Sequence, residues 1–157
     1  MKGEHRKKII TWSMLLLWMV FIFFMSGQDG NKSTDQSNFV AELFKYFGFD
    51  IKNILGDIGT LIIRKTAHFS EYFILCILFY RVIIMYVSIR TTRVISIIAT
   101  FIYALSDEIH QFFVPGRTCA FRDVLIDTIG GVTSILVLYI FSKIKNKVLS
   151  RMERKLH

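Results

Sequence analysis

The chain has 157 residues, enough for a single domain, and a formal net charge of +8. It is 53% hydrophobic with a mean hydropathy of +0.46, which is too apolar for a soluble domain of this size. The basic residues flank long apolar runs, so the charge indicates orientation in a membrane and excludes nucleic acid as the expected partner. We therefore expect one all-α integral membrane domain over residues 1–157, with the lipid bilayer as its surroundings.

The first predicted membrane span covers residues 9–25 and follows a basic segment. A cleaved signal peptide is the competing interpretation of such a beginning. The apolar run is long for a signal peptide, and Met25-Ser26-Gly27 is a poor cleavage site. The pattern therefore favours an uncleaved anchor.

The segment between the first and second spans is predicted to lie outside the bilayer core. Residues 26–37 are polar and are predicted to form a loop. Residues 38–63 show helical periodicity in two stretches separated near Gly48, which is typical of one or two interfacial amphipathic helices. An equally supported alternative is that these helices cap the bundle by ordinary packing.

Three further spans are predicted over residues 67–87, 94–114 and 124–141, and Pro115-Gly116 ends the third span of the chain. With the N-terminus inside, the cytoplasmic head, the turn between spans two and three and the tail hold 12 of the 20 Lys and Arg residues in short segments. This excess predicts that both termini face the cytoplasm. The expected architecture is thus four transmembrane helices, N-in and C-in.

Ionisable residues gather near the predicted outer ends of the last three spans. Arg64, His68 and Glu71 have i, i+4, i+7 spacing and therefore share one face of the second span. The third span begins with uncharged residues, and Asp107 lies roughly 20 Å along it at about 1.5 Å per residue. Gln111 follows one turn later on the same face as Asp107.

The fourth span continues this pattern from its outer end. Asp123 and Asp127 are one helical turn apart, and Gly130, Gly131 and Ser134 after them allow a neighbouring helix to approach closely. An ionisable group in lipid costs several kcal/mol unless it faces a partner or water. We therefore expect the charges of the three helices to converge inside the bundle.

Several interpretations of this cluster are compatible with the residues. It could be a static ion-pair network that fixes helix register, although the set is larger than that role requires. His68 with Glu71, or His110 with Glu108, could act as a general base held by a carboxylate. A metal site is not favoured, because no paired-histidine motif occurs and the two histidines lie on different helices, and no cofactor is predicted. Candidate nucleophiles without a diagnostic motif are Ser26, Ser70 and Ser106.

The same residues resemble the motifs of the VanZ-like family. The resemblance rests on Arg64-Lys65-x-x-His68-x-x-Glu71-Tyr72, on Ser106-Asp107-Glu108-x-His110-Gln111, on Pro115-Gly116-Arg117 and on Asp123-Val124-x-x-Asp127-x-x-Gly130. Ser26-Gly27-Gln28 is similar to the family's Ser-Ser-Gln, with glycine in place of the second serine. The resemblance runs from the first span through the fourth. It implies a small multi-pass protein of the bacterial cytoplasmic membrane and, through the family's namesake, an association with resistance to the glycopeptide antibiotic teicoplanin.

The leading hypothesis is a polar site at the outer face of the membrane that binds or modifies an anionic, lipid-linked envelope component. Such a component would be a cell-wall precursor or a phospholipid, and its binding would lower access of teicoplanin-type antibiotics. The side chains expected to hold the ligand are Arg64, Lys65, Tyr72, Gln111, Arg117 and Arg122. The candidate catalytic or proton-moving residues are His68, Glu71, Asp107, Glu108, His110, Asp123 and Asp127.

The alternatives are a membrane-embedded hydrolase or transferase with His68 or His110 as base, and a non-catalytic structural or partner-binding protein. A proton-coupled transporter is less favoured, because the inner halves of the spans lack matching polar residues. The sequence leaves open whether the protein is an enzyme and what its oligomeric state is.

Overall fold

The structure is a computed structural model that describes residues 2–117 and 119–156, and every regular element within them is an α-helix. In chain order the helices are α1 (Lys2–Ser26), α2 (Gly30–Tyr46), α3 (Ile51–Leu55), α4 (Asp57–Ile83), α5 (Ile89–Phe112) and α6 (Phe121–Leu156).

Four of these helices, α1, α4, α5 and α6, are long and apolar enough to cross a membrane, which confirms the predicted number of spans. They form a bundle in which α4 and α6 pack along each other, α5 packs against both, and α1 packs against α4 and α5. Large apolar side chains cover the outside of the bundle, among them Leu17, Phe24 and Phe141. Such a surface suits a lipid environment. The direction in which the bundle crosses the membrane remains a prediction.

The predicted loop over residues 26–37 is wrong from Gly30 onward, where α2 begins. Asp29 caps this helix, because its side chain accepts a hydrogen bond of 2.8 Å from the backbone N–H of Lys32. Ser33 and Ser37 are buried on one side of α2, and α2 packs against α4. Small polar residues that suggest a loop in isolation are therefore the packed face of a helix.

Helix α2 ends where the sequence predicts. Its last residue is Tyr46, and Gly48 has a φ of 91°, a left-handed conformation that glycine adopts at helix ends without strain. The predicted interfacial segment thus contains α2 and the short α3, and its last residues already belong to α4. Helix α4 begins at Asp57, before the predicted start of the second span at residue 67. Arg64 and Lys65 lower the local hydropathy but lie within this continuous helix.

Two glycines set the close packing of α6, as the sequence predicts. A Cβ atom at Gly130 would overlap the backbone carbonyl oxygen of Phe69 on α4. A Cβ atom at Gly131 would lie 2.9 Å from Cγ2 of Thr100 on α5. Helix α6 therefore approaches both neighbours at distances that only glycine permits.

The buried face of α5 carries a row of hydroxyl groups. Thr92, Ser96 and Thr100 each donate a hydrogen bond of 2.7–2.9 Å to the carbonyl four residues earlier. The N-terminal half of α5 therefore carries more buried polar groups than its lack of charged residues suggests. Each hydroxyl is satisfied by a carbonyl of its own helix, so small polar residues can pack closely at this interface.

Candidate functional site

Polar side chains from four helices meet at one end of the bundle, where α1 and α5 finish, α6 begins and α4 passes between them. We call this region the polar end. It contains the last residues of α1, the Arg64–Glu71 stretch of α4, the Asp107–Gln111 stretch of α5 and the first turns of α6.

The predicted face of α4 is present at the polar end. Arg64, His68 and Glu71 line one cavity of about 540 Å³ between α2 and α4. His68 Nδ1 lies 3.7 Å from Glu71 Oε2, and both side chains are 17% exposed. Trp18 of α1 donates a hydrogen bond of 3.0 Å from Nε1 to the backbone carbonyl of Glu71, which ties α1 to this part of α4.

A buried amide links α1 to α5. Gln111 Nε2 donates to Ser26 Oγ at 2.8 Å and to Asp107 Oδ2 at 3.1 Å. All three side chains are buried. The Tyr72 hydroxyl lies close to Asp107 but outside hydrogen-bonding geometry, and it has no hydrogen-bond partner among the described residues. These groups form the closed floor of the polar end.

The loop that joins α5 and α6 is held by contacts to both sides. Arg117 Nε donates to the backbone carbonyl of Gln28 at 3.1 Å, and the backbone N–H of Ala120 donates to Glu108 Oε2 at 2.9 Å. Gly116 has a φ of 72°, a conformation that favours glycine. Gly30 lies so close to this residue that a Cβ atom at position 30 would overlap the carbonyl oxygen of Gly116. The beginning of α2 and the Arg117 loop are therefore docked on each other, backbone to backbone.

An ion pair connects α4 to α6. Lys65 Nζ lies 2.5 Å from Asp123 Oδ2, and each side chain is 20% exposed. Asp127, one turn further along α6, is buried. A void of about 10 Å³ separates these groups from His68 and Glu108, which is the space of about one water molecule. The acidic residues of α5 and α6 thus lie behind Lys65 in the bundle interior.

A second cavity of about 90 Å³ lies beside the large one and is lined mostly by polar groups. Its lining consists of Arg64, Lys65, His68, Gln111, Gly116, Arg117 and Asp123. Asp123 is the only carboxylate in this lining, and it is already paired with Lys65. Arg64, His68 and Arg117 line both cavities, so the two spaces adjoin at these three side chains.

Arg117 lies outside the membrane-spanning helices, and its environment is unusual for a loop arginine. Burial lowers the pKa of its guanidinium, and the neighbouring positive charge of Arg64 lowers the pKa further. Carboxylates of α4 and α5 act in the opposite direction. A guanidinium remains charged in proteins, so the Arg117 side chain is a partly buried cation that is repelled by the positive charge of Arg64.

Six predicted residues line neither of the two cavities. Asp107, Glu108 and Asp127 lie in the bundle interior as described above, and the other three lie elsewhere. Tyr72 is fully buried in the apolar core of the bundle. His110 stacks on Phe23 of α1 with ring centroids 4.3 Å apart, and its Nε2 is buried without a hydrogen-bond partner among the described residues. Arg122 is exposed at the beginning of α6. Glu108 and His110 are two residues apart on α5, so their side chains point in different directions. Glu108 is therefore not placed to hold His110 as a general base.

The candidate serine nucleophiles are engaged elsewhere. Ser70 donates to the carbonyl of Thr66 and Ser106 to that of Tyr103, each at 2.7–2.8 Å within its own helix. Ser26 accepts from Gln111 in the closed floor. Among the described residues, no group of three or more His, Cys, Asp and Glu side chains is placed to hold a metal ion.

Sequence reasoning missed the part of the site made by the α1–α2 connection. Gln28 supplies the carbonyl that holds Arg117, and Ser33 and Gln36 of α2 line the large cavity. The similarity of Ser26-Gly27-Gln28 to a family motif was the available signal. A backbone carbonyl acting as the partner leaves no further trace in the sequence.

Comparison with known proteins identifies the family. The family model described as VanZ/LLP1 matches residues 11–142, which includes α4 and α5, parts of α1 and α6, and every residue of the polar end named above. No curated protein and no solved structure matches the chain. The chain therefore belongs to the VanZ-like family and is a multi-pass membrane protein.

Proposed function

We propose that this VanZ-like membrane protein binds the anionic headgroup of a lipid-linked envelope component at the polar end of its bundle. One observation carries the proposal: Arg64, Lys65 and Arg117 line a single small cavity, yet of these three cations only Lys65 has an ion-pair partner among the described residues. The predicted orientation would put this cavity at the outer face of a bacterial cytoplasmic membrane.

The charges of the cavity favour an anion over a neutral ligand. Arg64 and Arg117 repel each other across a partly buried space, and Asp123 is already engaged by Lys65. A phosphate or carboxylate between the two guanidinium groups would relieve this repulsion and accept bidentate hydrogen bonds. The volume of about 90 Å³ is several times the roughly 10–15 Å³ that one water molecule requires on this measure, so the cavity has room for a phosphate group.

The proposal is limited to binding. A hydrolase or transferase with a serine nucleophile is not favoured, because the three candidate serines are engaged by other groups. His68 and Glu71 would orient the headgroup or exchange a proton with it, because both border the large cavity.

Native mass spectrometry of the protein in phosphatidylcholine nanodiscs that contain phosphatidic acid tests the binding. Losing a hydrogen bond to a charged group costs about 1.5–3 kcal/mol, so Arg117→Gln should weaken phosphatidic acid retention about tenfold to a hundredfold. Arg122→Gln is the matched control, because it removes an exposed arginine near the same end of the bundle. Equal retention in wild type and Arg117→Gln would refute the headgroup site.

The family resemblance extends the proposal to antibiotic susceptibility. If the bound component is the one that teicoplanin-type antibiotics approach, a deletion strain complemented with wild type should tolerate more teicoplanin than the same strain carrying Arg117→Ala. Vancomycin is tested in parallel, Arg122→Ala is the control, and membrane levels of each variant are measured. Identical teicoplanin tolerance in all strains would contradict the resistance role while leaving lipid binding to be judged on its own measurement.

A further inference from the structure

We infer that the ligand of the polar end is a membrane lipid with its phosphate in the small polar cavity and one hydrocarbon chain in the larger cavity between α2 and α4. This inference rests on the proposed headgroup site. It adds the chemical class of the ligand, the position of its chain and the role of α2.

The larger cavity has the size and the lining of a chain-binding site. Its volume of about 540 Å³ lies within the range of roughly 300–1,000 Å³ typical of small-molecule pockets. Apolar side chains contribute much of the lining: Met25, Phe39, Val40, Ile63 and Ala67. A free phosphate ion would leave this apolar space unoccupied.

The arrangement of charge in the two cavities matches an amphiphile. Arg64 and Arg117 border both spaces, so the cationic groups stand between the small polar cavity and the larger one, whose surface is mainly apolar but includes the carboxylates of Asp35 and Glu71. A lipid with a phosphate headgroup and a hydrocarbon chain would place each part in a matching environment. Two separate ligands would have to meet at these same two side chains.

Helix α2 gives the large cavity access to the bilayer. Phe39 lines the cavity and is nevertheless 70% exposed, so the cavity reaches the outer surface of the protein beside this residue. Leu43 and Phe47 continue an exposed apolar surface along α2. Among the helices, α2 packs only against α3 and α4 within the described residues. A lipid chain can therefore enter sideways past Phe39 without opening the four-helix bundle.

The position of the chain is a better test than the affinity. A chain that leaves the bilayer for an apolar cavity exchanges one apolar environment for another, so chain length should change binding only weakly. The headgroup supplies the preference, and the cavity decides where the chain lies.

The experiment is photo-crosslinking in phosphatidylcholine vesicles that contain the full-length protein and a trace of phosphatidic acid with a diazirine at the end of one chain. Crosslinked residues are identified by peptide mass spectrometry. We expect labels on the cavity walls of α2 and α4, around Val40, Ile63 and Ala67. Diacylglycerol with the same diazirine chain is the control without phosphate, and inorganic phosphate is added as a competitor in a separate arm.

Two variants make the result specific to the cavity. Val40→Trp fills it from α2, and Leu43→Trp adds the same side chain on the same helix at an exposed position. Cavity labelling should fall to the diacylglycerol level in Val40→Trp and stay at the wild-type level in Leu43→Trp. Ala67→Leu narrows the cavity from α4 and is expected to reduce labelling as well, which covers the case that Val40→Trp fails to fold.

The outcomes separate the two proposals. Labels scattered over lipid-facing surfaces, with phosphatidic acid still retained through Arg117, would overturn the chain site and leave the headgroup site standing. Complete displacement of retained phosphatidic acid by inorganic phosphate, without cavity labels, would show a site for phosphate alone and would also overturn the inference. Equal cavity labelling by diacylglycerol and phosphatidic acid would refute the phosphate-directed placement on which both proposals depend.

Discussion

Replacing Gly130 by alanine tests the contact that sets α6 against α4. The new Cβ atom would overlap the carbonyl oxygen of Phe69, which belongs to the backbone and cannot rotate away. Overpacking of this kind costs about 1–3 kcal/mol, whereas alanine gains up to about 1 kcal/mol over glycine in helix propensity. With the full propensity gain subtracted, we expect Gly130→Ala to lower the free energy of unfolding by up to about 2 kcal/mol.

The chain offers two controls for this variant. A Cβ atom at Gly3 would meet nothing within 4 Å, so Gly3→Ala should leave stability unchanged or raise it slightly. A Cβ atom at Gly131 would lie 2.9 Å from the methyl carbon of Thr100, a less severe overlap than the one with the backbone at Gly130, so Gly131→Ala should cost less than Gly130→Ala. Because Phe69 follows His68, separation of α4 from α6 should also disturb the polar end.

Unfolding by sodium dodecyl sulfate in mixed micelles, followed by far-UV circular dichroism, measures the three variants beside wild type. The order of stability should be Gly3→Ala, then Gly131→Ala, then Gly130→Ala. Gly130→Ala at least as stable as Gly3→Ala would refute the close backbone contact between α4 and α6.

Three further variants test other contacts by the same unfolding measurement. Asp29→Ala removes the N-cap of α2 and should cost about 1 kcal/mol, and Asp29→Ser should recover most of that loss, so equal stability of the two variants would count against the cap. Tyr103→Phe removes a 2.6 Å hydrogen bond to the carbonyl of Met19 and should cost about 1 kcal/mol, whereas Tyr46→Phe at an exposed position should cost nothing measurable. Lys65→Met leaves Asp123 partly buried without its partner, so it should be less stable than the double variant Lys65→Met with Asp123→Leu, and the reverse order would contradict the ion pair.

Helical periodicity and hydropathy predicted much of this structure because both are local. The spacing of Arg64, His68 and Glu71 fixes them on one face wherever the helix lies, and all three line the same cavity. Gly130 and Gly131 likewise predicted close helix contacts. The number of spans follows from long apolar runs, which few other folds produce.

What the sequence missed depends on tertiary contacts. Residues 30–37 are polar and suggest a loop, but Ser33 and Ser37 become the buried face of α2 once α4 is beside them. His110 lies near Glu108 in the sequence, yet its ring stacks on Phe23 of another helix. Arg117 is held by a backbone carbonyl, and no side-chain pattern encodes such a partner.

The predicted ligand-binding set divides by exposure in a way that spacing alone does not reveal. Arg117 and Arg122 are both basic residues of the same region, but Arg117 borders both cavities and Arg122 is exposed to the surroundings. This difference makes the pair a natural test and control for the proposed site.

Solid-state NMR of the protein with ¹⁵N-labelled arginine, in phosphatidylcholine membranes with phosphatidic acid, tests the headgroup site most directly. Arg117 should show strong dipolar coupling between its guanidinium nitrogens and the lipid ³¹P nucleus, because a guanidinium–phosphate hydrogen bond has a nitrogen–oxygen distance of about 2.7–2.9 Å. The Arg117 part of the coupled signal should disappear in Arg117→Lys and the Arg64 part in Arg64→Lys, whereas both should persist in Arg122→Lys. A coupling that is absent in wild type, or that survives unchanged in Arg117→Lys and in Arg64→Lys, would contradict the binding of a phosphate headgroup at the polar end.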